Sequence, residues 1–275
     1  KGLPPNAEDK IKNPGHPERN KVLYSILNME EDDPGQIQKN VNVYNGMVKF
    51  VDDGVGRIID KIIELGLDKD TIIVFTADHG DFAGEHNMMG KGGVFYDCLV
   101  KVPLIISFPG VVPEDVVEEN VVNTIDIVPT LLKLQSIEIP KRMQGHLLPS
   151  AVDAVPQKAT FSEYGAGGPP FTLEDLNNFE KPFGHKTLIE TLWAREAEGR
   201  RKMVRTTDWK YIYDPMGDLD ELYDLINDPW EMTNLSENIE YSDIKKEMRA
   251  YLLEWAILNE DSEPVPLPGI IGREK

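Results

Sequence analysis

The chain has 275 residues, with 29 Lys and Arg against 48 Asp and Glu, a formal net charge of −19, and one cysteine. A single cysteine excludes an internal disulfide framework and an all-cysteine zinc cluster, and the lack of a basic block argues against nucleic acid as a partner. Pro103 and Pro109 interrupt the longest apolar run well short of the roughly 20 residues of a membrane-spanning helix, while 40% hydrophobic residues suffice for one large core or two domains.

Residues 1–20 are rich in proline, asparagine and charge, which predicts a surface lead-in. A short helix is expected around Val22–Leu27, broken by the acidic stretch that ends in Pro34-Gly35. Tyr44, Val48, Val51, Val55, Ile58, Ile59, Ile62 and Ile63 then recur every three or four residues, the apolar stripe of a helix of about 25 residues with Gly66 at its end. After the Asp68-Lys69-Asp70 turn, Thr71–Thr76 is β-branched and almost wholly apolar, as in a central strand buried on both faces. Helix, short turn and buried strand predict an α/β fold around a mainly parallel sheet.

A glycine-rich loop occupies 80–93, followed by a short helical piece over 94–100 and a second strand over 102–108. Residues 123–134 read as a helix that admits Pro129. The stretch near 147–157 is the expected boundary between a larger unit, 1–155, and a small α+β unit, 156–275. In the latter, Ala159–Tyr164 is a strand candidate, Gly165–Pro170 a loop, and Thr187–Ala197 either helix or strand. Lys202–Thr206 and Trp209–Tyr213 are expected to pair antiparallel around Thr207-Asp208, with a further strand at Glu221–Leu225. Tyr241–Leu258 is an amphipathic helix, and the proline-containing tail is expected to be extended.

The densest chemistry is Thr76-Ala77-Asp78-His79-Gly80-Asp81, then Glu85-His86, then Gly90-Lys91-Gly92. Ligands of open α/β sheets bind beyond the carboxyl ends of the strands, where Asp78 and His79 fall. A carboxylate beside an imidazole suits a divalent cation; the same residues also suit a turn closed by a side-chain-to-backbone hydrogen bond. Lys91, a point charge between glycines, suits an oxyanion such as sulfate or phosphate. His86 is a candidate substrate or neighbouring contact, with a plain loop residue as the alternative. Asp81 and Glu85 would tune the site or be solvated. His16, His146 and His185 read as surface or structural, Cys98 as a buried core thiol, and Asn234-Leu235-Ser236 is a short glycosylation sequon.

The string "TIIVFTADHGDFAGEHNMMGKGGVFYDCLVKVPLIISFPG" over 71–110 resembles the type I sulfatases of the alkaline phosphatase superfamily. The resemblance extends to Asp126, Pro129 and Thr130, to Gln144-Gly145, and to the segments around Arg205–Tyr211, Glu221–Leu225 and Asn227–Pro229. It implies an alkaline-phosphatase-like sheet flanked by helices with a small C-terminal subdomain. It also implies metal-dependent hydrolysis of a sulfate monoester, with a sulfated small molecule or glycan as substrate. Asp78 and His79 would be ligands of one divalent cation, usually calcium. Lys91 and His86 would be catalytic, and Lys101 would take the place of a structural arginine. The family nucleophile is a formylglycine made from Cys or Ser in a C/S-x-P-x-R motif. These 275 residues hold no such motif, since Cys98 is followed by Leu-Val-Lys, nor the family's first Asp-Asp ligand pair after a buried strand. The expectation is therefore a C-terminal part of a longer sulfatase, inactive alone and partnered by its N-terminal part, in a periplasmic, extracellular or lysosomal setting. A phosphonate monoester or phosphodiester hydrolase, a non-catalytic glycan binder and a metal-stabilised structural module are the alternatives.

Overall fold

The structure, a computed structural model, describes residues 2–7, 15–27, 34–152, 154–181 and 183–259. The acidic break before Pro34, the 260–275 tail and much of the 1–20 lead-in lie outside them. Helix α1 spans Glu18–Ile26 and helix α2 Pro34–Glu64. Strand β1 (Ile73–Thr76) leads into a small hairpin, β2 (Phe82–Ala83) and β3 (Met89–Gly90). Helix α3 (Asp97–Val100) and strand β4 (Leu104–Ser107) follow, then α4 (Ile127–Leu134) and α5 (Pro149–Val152). Strand β5 (Thr160–Tyr164), helices α6 (His185–Glu190) and α7 (Leu192–Ala197), strands β6 (Arg201–Arg205), β7 (Trp209–Tyr213) and β8 (Glu221–Asp224), and helix α8 (Ser242–Leu258) complete the order.

Two expectations for the first half are corrected. Strands β1 and β4 pair antiparallel, Ile73 opposite Ser107 and Thr76 opposite Leu104. The segment joining them holds a hairpin and one helical turn in place of a crossover helix, so it returns the chain in the opposite sense. Nor is β1 buried on both faces: Phe75 is 37% exposed, and Ile105 on β4 is 61% exposed. The stripe of α2 is likewise open, with Val51 at 55% and Ile58 at 63%, while Ile37 and Val41 near its start are buried.

Pro129 fits α4 because Thr124–Asp126 forms a 3₁₀ turn and the α-helix begins only at Ile127. Proline therefore falls in the first helical turn, where its missing N–H has no carbonyl to serve. Asp126, fully buried, accepts from the backbone N–H of Asn123 at 2.9 Å and of His146 at 2.8 Å. Its place in the family-like motif is thus structural.

The second half is a four-stranded antiparallel sheet in the order β5-β6-β7-β8. The anticipated hairpin is present, with Arg205 opposite Lys210, and Thr187–Ala197 resolves as the two short helices α6 and α7. Period-2 alternation gives the sheet two buried faces. Val204, Tyr211 and Leu222 pack with Met248 and Leu252 of α8. Met203, Ile212 and Tyr223 face the other way, into a core with Leu23, Phe82, Phe95 and Leu99. That second core joins residues from both sides of the 147–157 stretch. The side chain of Asn234 is engaged by the backbone around it: Oδ1 accepts from Leu222 N–H at 2.9 Å and Ser236 N–H at 3.0 Å, and Nδ2 donates to Asp220 O at 2.9 Å and Gly15 O at 3.0 Å.

Candidate functional site

The C-terminal end of β1 opens onto a cleft of about 1270 Å³. Asp78, His79 and Lys91 all line it. The geometry is set by the backbone that follows the strand. Gly80 N–H donates to Leu99 O at 2.8 Å, and a Cβ at Gly80 would run into the Cys98 carbonyl. Only glycine therefore allows the loop to lie against α3 here. The Gly80 carbonyl then faces His79 Nδ1 at 2.8 Å. A carbonyl only accepts, so Nδ1 carries a proton, and the Nε2 lone pair faces outward.

Around that lone pair stand Lys91 Nζ at 3.0 Å and Asp78 Oδ2 at 3.5 Å. Asp78 Oδ1 accepts the backbone N–H of His79 at 2.9 Å, so the turn anticipated as the alternative to a ligand pair is also present. That N–H, followed by His79 and more weakly by Lys91, holds the Asp78 carboxyl below its ordinary range. The carboxylate is largely exposed, with one oxygen engaged and the other directed to the same place as His79 Nε2. An anionic oxygen and an imidazole nitrogen converging at one point fit a divalent cation. They are two donors; among the described residues no cluster of three or more His, Cys, Asp and Glu side chains converges.

His86 is not part of this constellation. Its backbone is left-handed, with φ of 51°, inside the 3₁₀ turn Glu85–Asn87. This turns the imidazole into the core, 1% exposed, with its ring centroid 4.1 Å from Tyr96 and 6.2 Å from His16. It does not line the cleft. Glu85 closes its own turn, Oε2 accepting from Ala83 N–H at 2.6 Å. His16 is buried and structural, its Nδ1 3.2 Å from Tyr96 Oη. Cys98 is half-buried; burial, with Glu85 and Glu231 nearby, pushes its thiol up and makes it a poor nucleophile.

The opposite wall of the cleft comes from the second half of the chain: Phe161, Ser162, Tyr164, Arg195, Glu196 and Arg205. Lys101, read as structural, is exposed and lines the cleft as well. Of the wall residues, Arg205 was marked in the sequence by the segment before Trp209-Lys210-Tyr211, and Phe161, Ser162 and Tyr164 as part of the strand candidate Ala159–Tyr164. The others are carried by α7, which places Leu192, Arg195 and Glu196 on one helical face. Tyr164 donates from its hydroxyl to Glu196, and Arg205 forms a two-pronged pair with Asp97 at 3.0 and 3.1 Å.

Residues 4–137 match the family described as Sulfatase. Arylsulfatase K of Bos taurus is 32% identical over 202 residues, 72% of this chain and 34% of the relative. The fold is that of a solved 2-O GAG sulfatase, with a TM-score of 0.76 at 23% identity, covering 95% of this chain and 53% of the other. A solved phosphonate monoester hydrolase from Silicibacter pomeroyi gives 0.71 at 26% identity, covering 95% and 50%. The chain spans about a third of the length of the curated relatives it matches. Family match, fold and the placement of Asp78, His79 and Lys91 at the strand end agree, and the chain belongs to the sulfatase family, within the alkaline-phosphatase-like fold.

Proposed function

We propose that the protein hydrolyses a sulfate monoester of a small molecule or glycan. The observation that carries this is the convergence of Asp78, His79 Nε2 and Lys91 Nζ on one wall of the cleft. Asp78 and His79 would hold one divalent cation, calcium in this reading, which when bound supplies a Lewis acid for a sulfate oxygen. Lys91 binds the sulfate oxygens and offsets the charge that builds on the leaving-group oxygen. Gly80 O fixes the His79 tautomer, with Nε2 as the acceptor that faces Lys91. His86 acts, in this reading, through packing under the loop and touches no substrate. The nucleophile is assigned to a formylglycine that these 275 residues do not contain. The open apolar surface of α2, β1 and β4 would take up the part of the fold that carries it, with 1–155 completing the catalytic unit and 156–275 forming the small subdomain. A periplasmic, extracellular or lysosomal setting accompanies this reading; among the described residues no helix is long and apolar enough to cross a membrane.

The similarity to a phosphonate monoester hydrolase supports a second reading, in which the same residues handle a phosphonate ester. Both are tested on the full-length protein with aryl sulfate and aryl phosphonate esters. Lys91→Ala and Asp78→Ala should each lower turnover of the preferred ester by about 100-fold or more. A preference for the phosphonate selects the second reading. Unchanged turnover in Lys91→Ala overturns both.

A further inference from the structure

Lys91 sits in a poor place for a group that must hold a charge still. Its segment runs from the end of β3 at Gly90 to the start of α3 at Asp97, without regular structure and with glycines at 90, 92 and 93. Such a backbone samples many conformations, and a lysine side chain adds four more rotatable bonds. The structure shows what restrains it. On one side Leu23 of α1 fills the space that a Cβ at Gly92 would need. On the other, the Tyr164 ring fills the space beside Gly93. Tyr164 and Arg201 are directly opposed on β5 and β6, and the guanidinium lies 4.8 Å from the Tyr164 ring centroid. Arg201 is 3% exposed. Its Nη1 donates to Gly93 O and its Nη2 to Glu198 O, the latter at 3.1 Å.

We propose that the Tyr164–Arg201 rung is the positioning device for Lys91, with the Arg201 fork fixing the Gly93 carbonyl and thereby the ammonium two residues earlier. The inference rests on the reading that Lys91 faces the ester. Its physical basis is that a planar fork can bond two carbonyls and stack on a ring at once, which a lysine ammonium cannot do. A buried arginine is also costly unless its donors are used, and here one of them reaches out of the sheet to the Lys91 segment. Holding a charged group within a fraction of an ångström of its working place is worth orders of magnitude in rate. Tyr164 and Arg201 are thus positioning residues, acting through Lys91.

The test is Arg201→Lys in the full-length protein, read in two ways. Amide hydrogen exchange over residues 90–94 should quicken about tenfold or more, while the β6 and β7 amides keep their protection. Turnover of the ester should fall about tenfold or more, and a double-mutant cycle with Lys91→Ala should show Arg201→Lys adding less than about twofold once Lys91 is gone. Unchanged exchange over 90–94, or a full and independent effect of Arg201→Lys in the Lys91→Ala background, overturns the proposal. Should Arg201→Lys fail to fold, Gly93→Ala probes the same contact from the other side, since its methyl group must displace the Tyr164 ring, and the same two signatures are required of it. If the wild-type protein turns over no ester, the catalytic reading fails by itself, and exchange over 90–94 still decides whether Arg201 holds the segment.

Discussion

Lys210→Met removes a cation that is completely buried between two acids. Lys210 Nζ lies 2.5 Å from Asp97 Oδ1, 2.5 Å from Glu231 Oε1 and 2.9 Å from Phe95 O. Burial pushes the Asp97 carboxyl up, but Lys210 and Arg205 outweigh it and hold the group down at about 2. Against an ordinary value of 3.8, that depression is worth about 2 kcal/mol at neutral pH, and Arg205 retains part of it in the variant. Among the described residues Glu231 has no such second cation. Burial already raises its carboxyl, and after the substitution it keeps the Asp97 N–H, at 2.6 Å. Removing one partner of a buried pair costs about 3–5 kcal/mol. The expected loss in urea denaturation is therefore about 4 kcal/mol near pH 8. It should shrink near pH 5, because the raised Glu231 carboxyl of the folded variant takes up a proton more readily there than in the unfolded chain. A loss below about 1 kcal/mol near pH 8, or one that grows on acidification, would refute this account of the cluster.

Two further outcomes concern Glu221 in the core and Gly80 in the loop after β1. Burial raises Glu221 to about 6 from an ordinary 4.5, so its protonated folded form adds stability that is full below 4.5 and lost as pH rises through 6, about 2 kcal/mol in all. Glu221→Gln should keep the bonds accepted from Asn20 and Tyr223 and gain on the wild type by that amount across this window; parallel urea midpoints for the two proteins would contradict it. Gly80→Ala must push the loop off the Cys98 carbonyl. It should cost about 1–3 kcal/mol in thermal or urea unfolding and lower ester turnover, since the Gly80 carbonyl orients His79; full activity in a stably folded variant would show that this carbonyl does not matter.

The parts legible in the sequence were those whose determinants are neighbours in the chain. Asp78, His79 and Lys91 fall within one loop, so strand-end logic alone placed them together. The strands read as Lys202–Thr206 and Trp209–Tyr213, the first observed one residue earlier at Arg201–Arg205, declared themselves by alternation and by the Thr207-Asp208 turn. His86 shows where such reasoning stops: one left-handed residue reverses the direction of its side chain, and nothing in Glu85-His86-Asn87 announces a φ of 51°. The placement of the far wall against the cleft was illegible for another reason. Arg201 and Gly93 are 108 residues apart, and their contact exists only because the β5–β6 ladder and the Lys91 segment share a core. The pairing sense of β1 and β4 was missed because a buried apolar run carries no record of its partner's direction.

Why the sheet meets that segment with cations, when an apolar face would pack as well, follows from the backbone it must hold. Residues 91–96 form neither helix nor strand; Gly92 O and Tyr96 O accept from nearby backbone N–H groups, while Gly93 O and Phe95 O take side-chain donors, as buried carbonyls require. Alternation along β6 puts Arg201, Met203 and Arg205 on one face, and Lys210 lies opposite Arg205 on β7. Met203 enters the shared core, while Arg201 serves Gly93 O, Lys210 serves Phe95 O, and Arg205 holds Asp97 at the start of α3. Leucine or valine at these places would bury comparable area and leave those carbonyls unsatisfied, at a cost of about 1–3 kcal/mol each. The positive charges then require counterparts, which accounts for the half-buried Asp97 and the buried Glu231 beside them. An irregular loop can thus carry the Lys91 ammonium because the neighbouring sheet provides, through Arg201 and Lys210, hydrogen bonds that a helix or strand would have provided for itself.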